Sequence, residues 1–244
     1  MKALYREDLA YIHDVGFGDF AAGAAPGILR LLRRCGIWAG LVVDLGSGSG
    51  IWAKALVRSG YKVLGVDTSA AMIRLARRRV PEARFVRRSL HAVALPPCAA
   101  VTAIGESLSY VAATGAEAGL NTLFRRAWTA LRPGGAFIFD VAESSLALAE
   151  HGARTFVEGE DWAVLVEKQA DASRRLLKRR IVGFRRLGSQ YRRSEELHQL
   201  CLYDRAEIMS LLESTGFRAR LLGGYGKQKM PPGRIGFIAV KERQ

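Results

Sequence analysis

The sequence predicts an α/β fold in which a doubly wound, mostly parallel sheet of seven strands carries an inserted antiparallel β meander. Two observations lead to this prediction. Short apolar runs alternate with amphipathic helical segments over the first 142 residues, as in parallel sheets that are covered by helices on both faces. Beyond residue 142 the runs are β-rich and only short turns separate them, which indicates antiparallel strands.

The predicted elements follow one another in chain order. Residues 1–39 are mostly helical, because Tyr5, Leu9 and Ile12 recur at helical spacing. Apolar runs predict strands over 41–45, 61–66, 83–86, 99–104 and 136–141, with helices over 51–59, 69–79 and 117–131. The meander has three strands, 155–169, 174–187 and 190–203. A helix over 204–215 and strands over 217–222 and 235–241 complete the sheet.

Length and composition exclude several classes of protein. The chain has 244 residues, 49% of them apolar and 25% charged, which is typical of one globular domain with a sizeable core. The longest charge-free stretch near the middle, 89–105, contains two prolines and is too short for a membrane helix. The N-terminus is charged where a secretory signal is apolar, so we expect a cytoplasmic protein. Three widely spaced cysteines predict neither a disulfide framework nor a metal site.

The chain is strongly basic, with a formal net charge of +14. The segment 172–193 holds nine basic residues and no acidic one. Such a segment could bind phosphates, so an RNA partner stays open. General enrichment of arginine on solvated faces explains the charge equally well. The sequence contains no recognisable RNA-binding module and no clear row of exposed aromatic residues, which favours a small-molecule partner.

A glycine-rich loop is the most informative segment. The run Asp44-Leu45-Gly46-Ser47-Gly48-Ser49-Gly50 closes the first predicted strand and opens a helix. Glycines at alternate positions allow a sharp turn and a close approach of the backbone to a ligand. Asp67 ends the second strand, 17 residues after the last glycine, where a carboxylate can accept hydrogen bonds from both ribose hydroxyls. The loop and the acid together predict a nucleoside site.

Two further motifs extend this pattern. Gly65-Val66-Asp67-Thr68-Ser69, with Met72, surrounds the acid, and Leu131-Arg132-Pro133-Gly134-Gly135 precedes the fifth strand. With three motifs in this order, the sequence resembles the small-molecule type of class I S-adenosylmethionine-dependent methyltransferases, whose fold is Rossmann-like. The resemblance implies that S-adenosylmethionine is the cofactor and that a methyl group moves by in-line displacement to an oxygen, nitrogen or carbon atom of the acceptor.

The resemblance also implies which residues hold the cofactor. The family often has an Asp after its third strand, where this chain has Arg88-Ser89-Leu90, so Ser89 or backbone groups must contact the adenine. The implied cofactor-binding residues are Asp44, Gly46, Ser47, Gly48, Gly50, Asp67, Thr68, Met72, Ser89, Leu90, Gly105 and Glu106. The single domain is expected to divide into an N-terminal helical lid (1–39), a cofactor-binding core (40–142), an inserted meander that caps the substrate (143–203) and the C-terminal part of the core (204–244).

A protic acceptor needs a base whose pKa lies near neutrality. His198, Glu106 and His13 are the candidates. His198 alternates with Arg192, Ser194 and Glu196 along one face of the last meander strand, a row that either faces the acceptor or faces solvent. The candidate acceptor-binding residues are Tyr11, Tyr110, Glu196, His198, Tyr203 and Tyr225.

Three other functions stay open at this point. Gly48-Ser49-Gly50-Ile51-Trp52-Ala53 formally matches the dinucleotide fingerprint, as in an NAD(P)-dependent oxidoreductase. The basic segment 172–193 leaves an RNA methyltransferase open. A binding protein without turnover on the same fold is the third class, since a cofactor site does not prove catalysis.

Overall fold

The computed structural model describes residues 4–110 and 116–243. Five parallel strands form most of its main sheet: β1 (Gly40–Leu45), β2 (Tyr61–Asp67), β3 (Arg84–Arg87), β4 (Cys98–Ala103) and β5 (Leu131–Ala142). Two more strands complete the sheet: β13 (Arg234–Val240) pairs antiparallel with β5, and β10 (Arg218–Leu222) pairs antiparallel with β13. The strand order is β10-β13-β5-β4-β1-β2-β3. The predicted α/β fold with a seven-stranded, mostly parallel sheet is confirmed.

Helices connect and cover the strands, and side-chain caps define two of their starts. The Ser69 hydroxyl accepts a hydrogen bond from Met72 N, and the Asp204 carboxylate accepts from Ala206 N and Glu207 N, so each cap pairs backbone N–H groups that the helix leaves free. The α-helices are α1 (Glu7–Gly16), α2 (Asp19–Arg34), α3 (Ile51–Arg58), α4 (Ala70–Arg79), α5 (Ala116–Ala130), α6 (Leu146–Glu150) and α7 (Arg205–Ser214).

Each face of the main sheet has its own hydrophobic core. One includes Phe124 of α5 packed on Phe137 and Phe139 of β5. The other includes Ile28 of α2 and Trp52 of α3. Full burial of one such side chain contributes roughly 1.5–3 kcal/mol. The two cores hold the sheet rigidly, and its strand order reverses between β1 and β4, where doubly wound folds bind their ligands.

The insertion is a separate sheet of four strands, where we predicted three. They are β6 (Arg154–Glu158), β7 (Trp162–Asp171), β8 (Leu176–Leu187) and β9 (Gln190–Cys201), paired in that order. The predicted strand 155–169 is broken at Gly159, whose N–H donates to the Trp162 carbonyl in a tight turn. A Cβ at Gly159 would lie 2.3 Å from Trp162 Nε1, so the turn needs glycine. The structure also contains a short hairpin that was not predicted, formed by two strands of two residues each, β11 (Gly224–Tyr225) and β12 (Gln228–Lys229).

Arginines of the basic segment bind the insertion to its surroundings. Arg192 and Arg185 pair with Asp8 of α1, and Arg179 pairs with Glu106 at the end of β4. Four more, Arg174, Arg175, Arg180 and Arg193, pair with described carboxylates. Much of the positive charge of this segment is therefore neutralised within the fold.

The described residues contain no single helix that is long and apolar enough to cross a bilayer. Only α1 and α2 taken together reach the required length and composition, and they are bent by 60° at their junction.

Candidate active site

A cavity of about 490 Å³ opens at the carboxyl ends of β1, β2 and β4. Its floor is the glycine loop between β1 and α3. Its walls include Leu4 and Tyr5 from the N-terminal segment and Arg179 from the insertion. The volume lies in the range of small-ligand sites, about 300–1,000 Å³.

The glycine loop and Asp67 form one hydrogen-bonded unit. Gly48 N donates to Asp67 Oδ2 at 2.9 Å and Ser69 N donates to Oδ1 at 2.8 Å. Because a carboxylate has about four acceptor positions, Asp67 can accept two more hydrogen bonds from a ligand. Burial raises the pKa of Asp67, and the backbone N–H donors oppose that rise. Gly48 is left-handed at φ +52, and a Cβ there would meet no atom within 4 Å. The space above the loop is open to a ligand.

Asp44 lies at the cavity floor and accepts the last hydrogen bond of a buried chain. Trp52 Nε1 donates to Thr102 Oγ1 at 3.1 Å, and that hydroxyl donates to Asp44 Oδ1 at 2.8 Å. Burial raises the pKa of Asp44 to about 7. The neighbouring Ser47 hydroxyl is buried and has no hydrogen-bond partner among the described residues, so it is available to a bound molecule.

Most other residues predicted for the cofactor line the same cavity. These are Gly46, Thr68, Met72, Ser89, Leu90, Gly105 and Glu106. Gly50 does not line it. It precedes α3 in a left-handed conformation, and a Cβ there would lie 3.1 Å from the Ala76 Cα. The prediction for Gly50 is therefore corrected, because the third glycine serves helix packing rather than ligand contact.

Glu106 follows β4 at φ +55, an uncommon conformation for a non-glycine residue. Asp140 supports this turn, since its carboxylate accepts from Gly105 N at 3.0 Å and Glu106 N at 2.6 Å. The Glu106 carboxylate pairs with Arg179 and, at 3.3 Å, with Arg234 Nη2. Burial alone would raise its pKa, but the two guanidinium groups outweigh burial and the pKa is lowered. This argues against Glu106 as the base, because a lowered pKa makes the carboxylate a weak base and both guanidinium groups already occupy its oxygens.

An aromatic and histidine cluster closes the other end of the cavity. The Tyr5 and Tyr110 hydroxyls share a hydrogen bond of 2.6 Å, and burial raises the pKa of Tyr110 to about 12. The Tyr5 ring lies edge-on to His13, with centroids 5.1 Å apart. His13 lines the cavity, and its Nδ1 is buried without a partner among the described residues. Burial lowers the pKa of His13 to about 4, so its imidazole is neutral at pH 7.

His198 and Glu196 lie behind that cluster, outside the cavity lining. His198 is fully buried, with its ring 4.8 Å from that of Tyr5 and its Nε2 2.9 Å from Glu196 Oε2. Glu196 also accepts from Tyr5 N and Arg6 N. Both residues point inward from β9, which is one of the two orientations that the alternation left open. The N-terminal segment covers them, and this corrects their assignment to direct acceptor contact.

Three predicted tyrosines also lie elsewhere. Tyr11 donates to Asp161 at 2.8 Å beneath the Arg185 guanidinium. Tyr203 is buried in the core on the α5 face of the sheet. Tyr225 is fully buried and donates to Asp140 Oδ2 at 3.0 Å. None of them lines the cavity, so all three acceptor assignments are corrected. Tyr225 instead supports the carboxylate that holds the Glu106 turn.

Sequence reasoning missed four residues of the site: Tyr5, Arg179, Arg234 and Asp140. Arg179 was present in the basic segment 172–193, but its inward direction depends on the register of β8 against β9, where it lies opposite His198. Asp140 lies near the end of the apolar strand β5, and a carboxylate in such a run was an available signal.

Comparisons with known proteins agree with this geometry. The family model described as "Methyltransferase domain" matches residues 42–135, which include the glycine loop and Asp67. The chain contains a methyltransferase domain. This methyltransferase is 29% identical over 211 residues to a trans-aconitate 2-methyltransferase from Paracidovorax citrulli, an alignment that covers 83% of this chain and 76% of the relative.

Solved structures show the same fold over nearly the whole methyltransferase. An S-adenosylmethionine-dependent methyltransferase from Clostridium acetobutylicum superposes with a TM-score of 0.81 at 19% identity, covering 96% of this chain and 98% of the other. A sugar N-methyltransferase from Streptoalloteichus superposes with a TM-score of 0.78 at 23% identity, covering 100% of this chain and 94% of the other. S-adenosylmethionine is the cofactor, and the dinucleotide interpretation of residues 48–53 finds no support in these comparisons.

Proposed function

We propose that this methyltransferase moves the methyl group of S-adenosylmethionine to a small molecule that binds in the same cavity as the cofactor. One observation carries the proposal. A single cavity runs from the glycine loop to the polar and aromatic cluster of Tyr5, His13 and Tyr110. The relatives that are named for their substrates act on trans-aconitate or on a sugar, and both substrates are small.

The cofactor end of the cavity fits the nucleoside. Asp67 keeps acceptor positions for the two ribose hydroxyls, while its other hydrogen bonds fix the loop. Gly48 and Gly105 leave open space where a Cβ would point. Met72, Ser89 and Leu90 line the part that would hold the adenine. Bound there, S-adenosylmethionine supplies a methyl group on a sulfonium centre.

The acceptor end would contribute position first. Holding an acceptor in line behind the methyl carbon, with water excluded, supplies on the order of 7–11 kcal/mol. Tyr5 comes from the N-terminal segment, Tyr110 follows β4 and Arg179 comes from the insertion. These three sources support the interpretation of residues 1–39 as a lid and of residues 143–203 as a substrate cap.

His13 is the candidate proton acceptor for a protic acceptor molecule, and its pKa of about 4 makes it a weak base that would act mainly through its position. Its neutral imidazole and its unpartnered Nδ1 can accept a hydrogen bond from the acceptor O–H or N–H. Glu106 is disfavoured because two arginines lower its pKa and occupy its carboxylate oxygens, which makes it a weak base. His198 is a positioning residue at most, since Tyr5 and Tyr110 lie between it and the cavity.

Calorimetry with S-adenosylhomocysteine tests the cofactor assignment. Asp67→Ala should weaken binding at least tenfold, because it removes two hydrogen bonds to the ribose hydroxyls. Each such bond contributes about 0.5–1.5 kcal/mol, and more when one partner is charged. Asp161→Ala is the matched control, since Asp161 binds Tyr11 outside the cavity. Equal affinities in the two variants would reject the ribose assignment.

Mass spectrometry tests the acceptor class and the base. A panel of small acids, sugars and amines should yield a product heavier by one methylene group, and an RNA panel should yield none. His13→Asn should lower kcat while S-adenosylhomocysteine affinity stays within threefold. Methylation of RNA that falls steeply with salt would overturn the small-molecule proposal.

A further inference from the structure

We infer that Arg179 and Arg234 form a carboxylate subsite, and that the acceptor is an apolar molecule carrying one carboxylate. The inference rests on the proposed function, because it names the chemistry of the acceptor in the same cavity.

The two guanidinium groups reach the cavity from different sheets. Arg179 lies on β8 of the insertion, and Arg234 begins β13 of the main sheet. Each side chain is only 16% exposed, and both line the cavity. They converge on the Glu106 carboxylate, which pairs with Nη atoms of each. Two arginines are thus fixed side by side at the wall.

Each arginine has a buried Nε donor without a hydrogen-bond partner among the described residues. The nearest described carboxylate contact of Arg234 Nε is Asp140 Oδ1 at 3.7 Å, which is too long for a hydrogen bond. A buried N–H group without an acceptor is costly, and such groups in native proteins are generally paired. Two donors on adjacent guanidinium groups match the two oxygens of a carboxylate.

The surrounding acids are already engaged. Glu106 binds both arginines, and Asp140 accepts from Gly105 N, Glu106 N and the Tyr225 hydroxyl. Glu150 lies 3.7 Å from Arg179 Nη2 and pairs with Lys168 at 2.6 Å. Arg179 and Arg234 balance Glu106 and Asp140, so this cluster does not repel an anion. The sulfonium of the cofactor would attract one.

The remaining wall limits the acceptor to one carboxylate. The Arg234 guanidinium lies 4.9 Å from the Phe20 ring centroid. Apolar side chains of the cavity include Leu4, Phe17, Ile51 and Pro231. The polar groups at this end, the Tyr5 and Tyr110 hydroxyls and the neutral His13 imidazole, carry no positive charge to pair with a second or third carboxylate, and burying an unpaired charge is strongly unfavourable. The geometry therefore selects an amphipathic monocarboxylate over a tricarboxylate.

Calorimetry on the wild-type protein saturated with S-adenosylhomocysteine tests the inference without any variant. The probes are trans-cinnamate, phenylacetate and hexanoate, each with its neutral amide, and trans-aconitate as the tricarboxylate. We expect at least one acid to bind tenfold or more tightly than its amide and than trans-aconitate. Equal binding of every acid and its amide, tighter binding of trans-aconitate, or no binding of any acid would overturn the inference. Failure of S-adenosylhomocysteine to bind at all would instead reject the proposed function.

Variants then locate the carboxylate. Arg179→Gln and Arg234→Gln should each weaken binding of the best acid at least tenfold and leave S-adenosylhomocysteine affinity within threefold. Arg180→Gln is the matched control, since Arg180 is the exposed neighbour of Arg179 and pairs with Glu195. Loss of S-adenosylhomocysteine affinity with unchanged acid binding would show that the arginines hold the carboxylate of the cofactor, and would overturn the assignment to the acceptor.

Discussion

Glu196 should hold the N-terminal segment closed, and its removal tests how the acceptor end is built. The Glu196 side chain is only 4% exposed. It accepts from Tyr5 N at 2.7 Å and from Arg6 N at 2.8 Å, and its Oε2 lies 2.9 Å from His198 Nε2. Hydrogen bonds to a charged group contribute about 1.5–3 kcal/mol each. Two backbone bonds therefore amount to about 3–6 kcal/mol. Because Arg6 is half-exposed and its N–H can rebind water, we expect about 3 kcal/mol for Glu196→Ala.

Urea denaturation and hydrogen exchange measure this effect. Glu196→Gln keeps the shape and one acceptor oxygen, so its loss should be about half of that for Glu196→Ala. The amides of Tyr5 and Arg6 should exchange faster in both variants, and the acceptor KM should rise more than kcat falls. Glu195→Ala is the control, because Glu195 lies next to it and pairs with exposed arginines. Equal stability of the Glu195 and Glu196 variants, with unchanged exchange at Tyr5, would refute the reasoning.

The dependence on pH has a definite sign. Burial would raise the pKa of Glu196, but His198 and the backbone N–H groups of Arg6 and Tyr5 outweigh it, and the pKa is lowered. A lowered pKa in the folded state stabilises the fold above the unfolded value of about 4.3, and this contribution is lost as the pH falls through the folded value. The stability gap between wild type and Glu196→Gln should therefore be full at pH 7 and shrink below about pH 4.

Two further predictions use matched pairs. Gly48 and Gly60 are both left-handed, and a Cβ at either would meet no atom within 4 Å. Alanine at each should therefore cost a similar 1–2 kcal/mol, but only Gly48→Ala should weaken S-adenosylhomocysteine binding by tenfold or more. Equal affinities would show that no ligand covers the loop. Asp8 is 7% exposed and pairs with Arg185 and Arg192, so Asp8→Asn should destabilise the protein by about 1–3 kcal/mol and expose α1 to hydrogen exchange. Glu7→Gln, which breaks the exposed pair with Arg74, should cost under about 1 kcal/mol; a larger loss for Glu7 than for Asp8 would contradict this.

The main sheet was predictable because its signal is local. Parallel strands such as β1, β2 and β4 are short, mostly buried runs, and the glycine loop and Asp67 mark the carboxyl ends of β1 and β2 in the sequence. The glycine loop and Asp67 follow two successive strands of the chain at that edge, and in the structure Gly48 N donates a hydrogen bond to the Asp67 carboxylate. The insertion was harder, because the break at Gly159 appears in the sequence as one glycine within a β-rich run.

The acceptor end was not predictable, because it depends on contacts between distant parts of the chain. The alternation along β9 allowed His198 to face either inward or toward solvent, and its cover, Tyr5, lies 193 residues earlier. Tyr225 belongs to a glycine-rich loop, and its buried bond to Asp140 spans 85 positions. The nine basic residues of the segment 172–193 look alike in sequence. Strand register alone directs Arg179 inward.

The two loops that face the cavity are held by the same device. Asp67 ends β2 and binds the backbone of the left-handed Gly48, and Asp140 near the end of β5 binds the left-handed Gly105 and Glu106. Each carboxylate fixes a turn whose backbone would otherwise be free to relax. Methyl transfer depends more on position than on a strong catalytic group, and the Glu106 carboxylate that lines the cavity is paired with two arginines. These buried charges fix geometry, and the neutral His13 is the group that we propose as the proton acceptor.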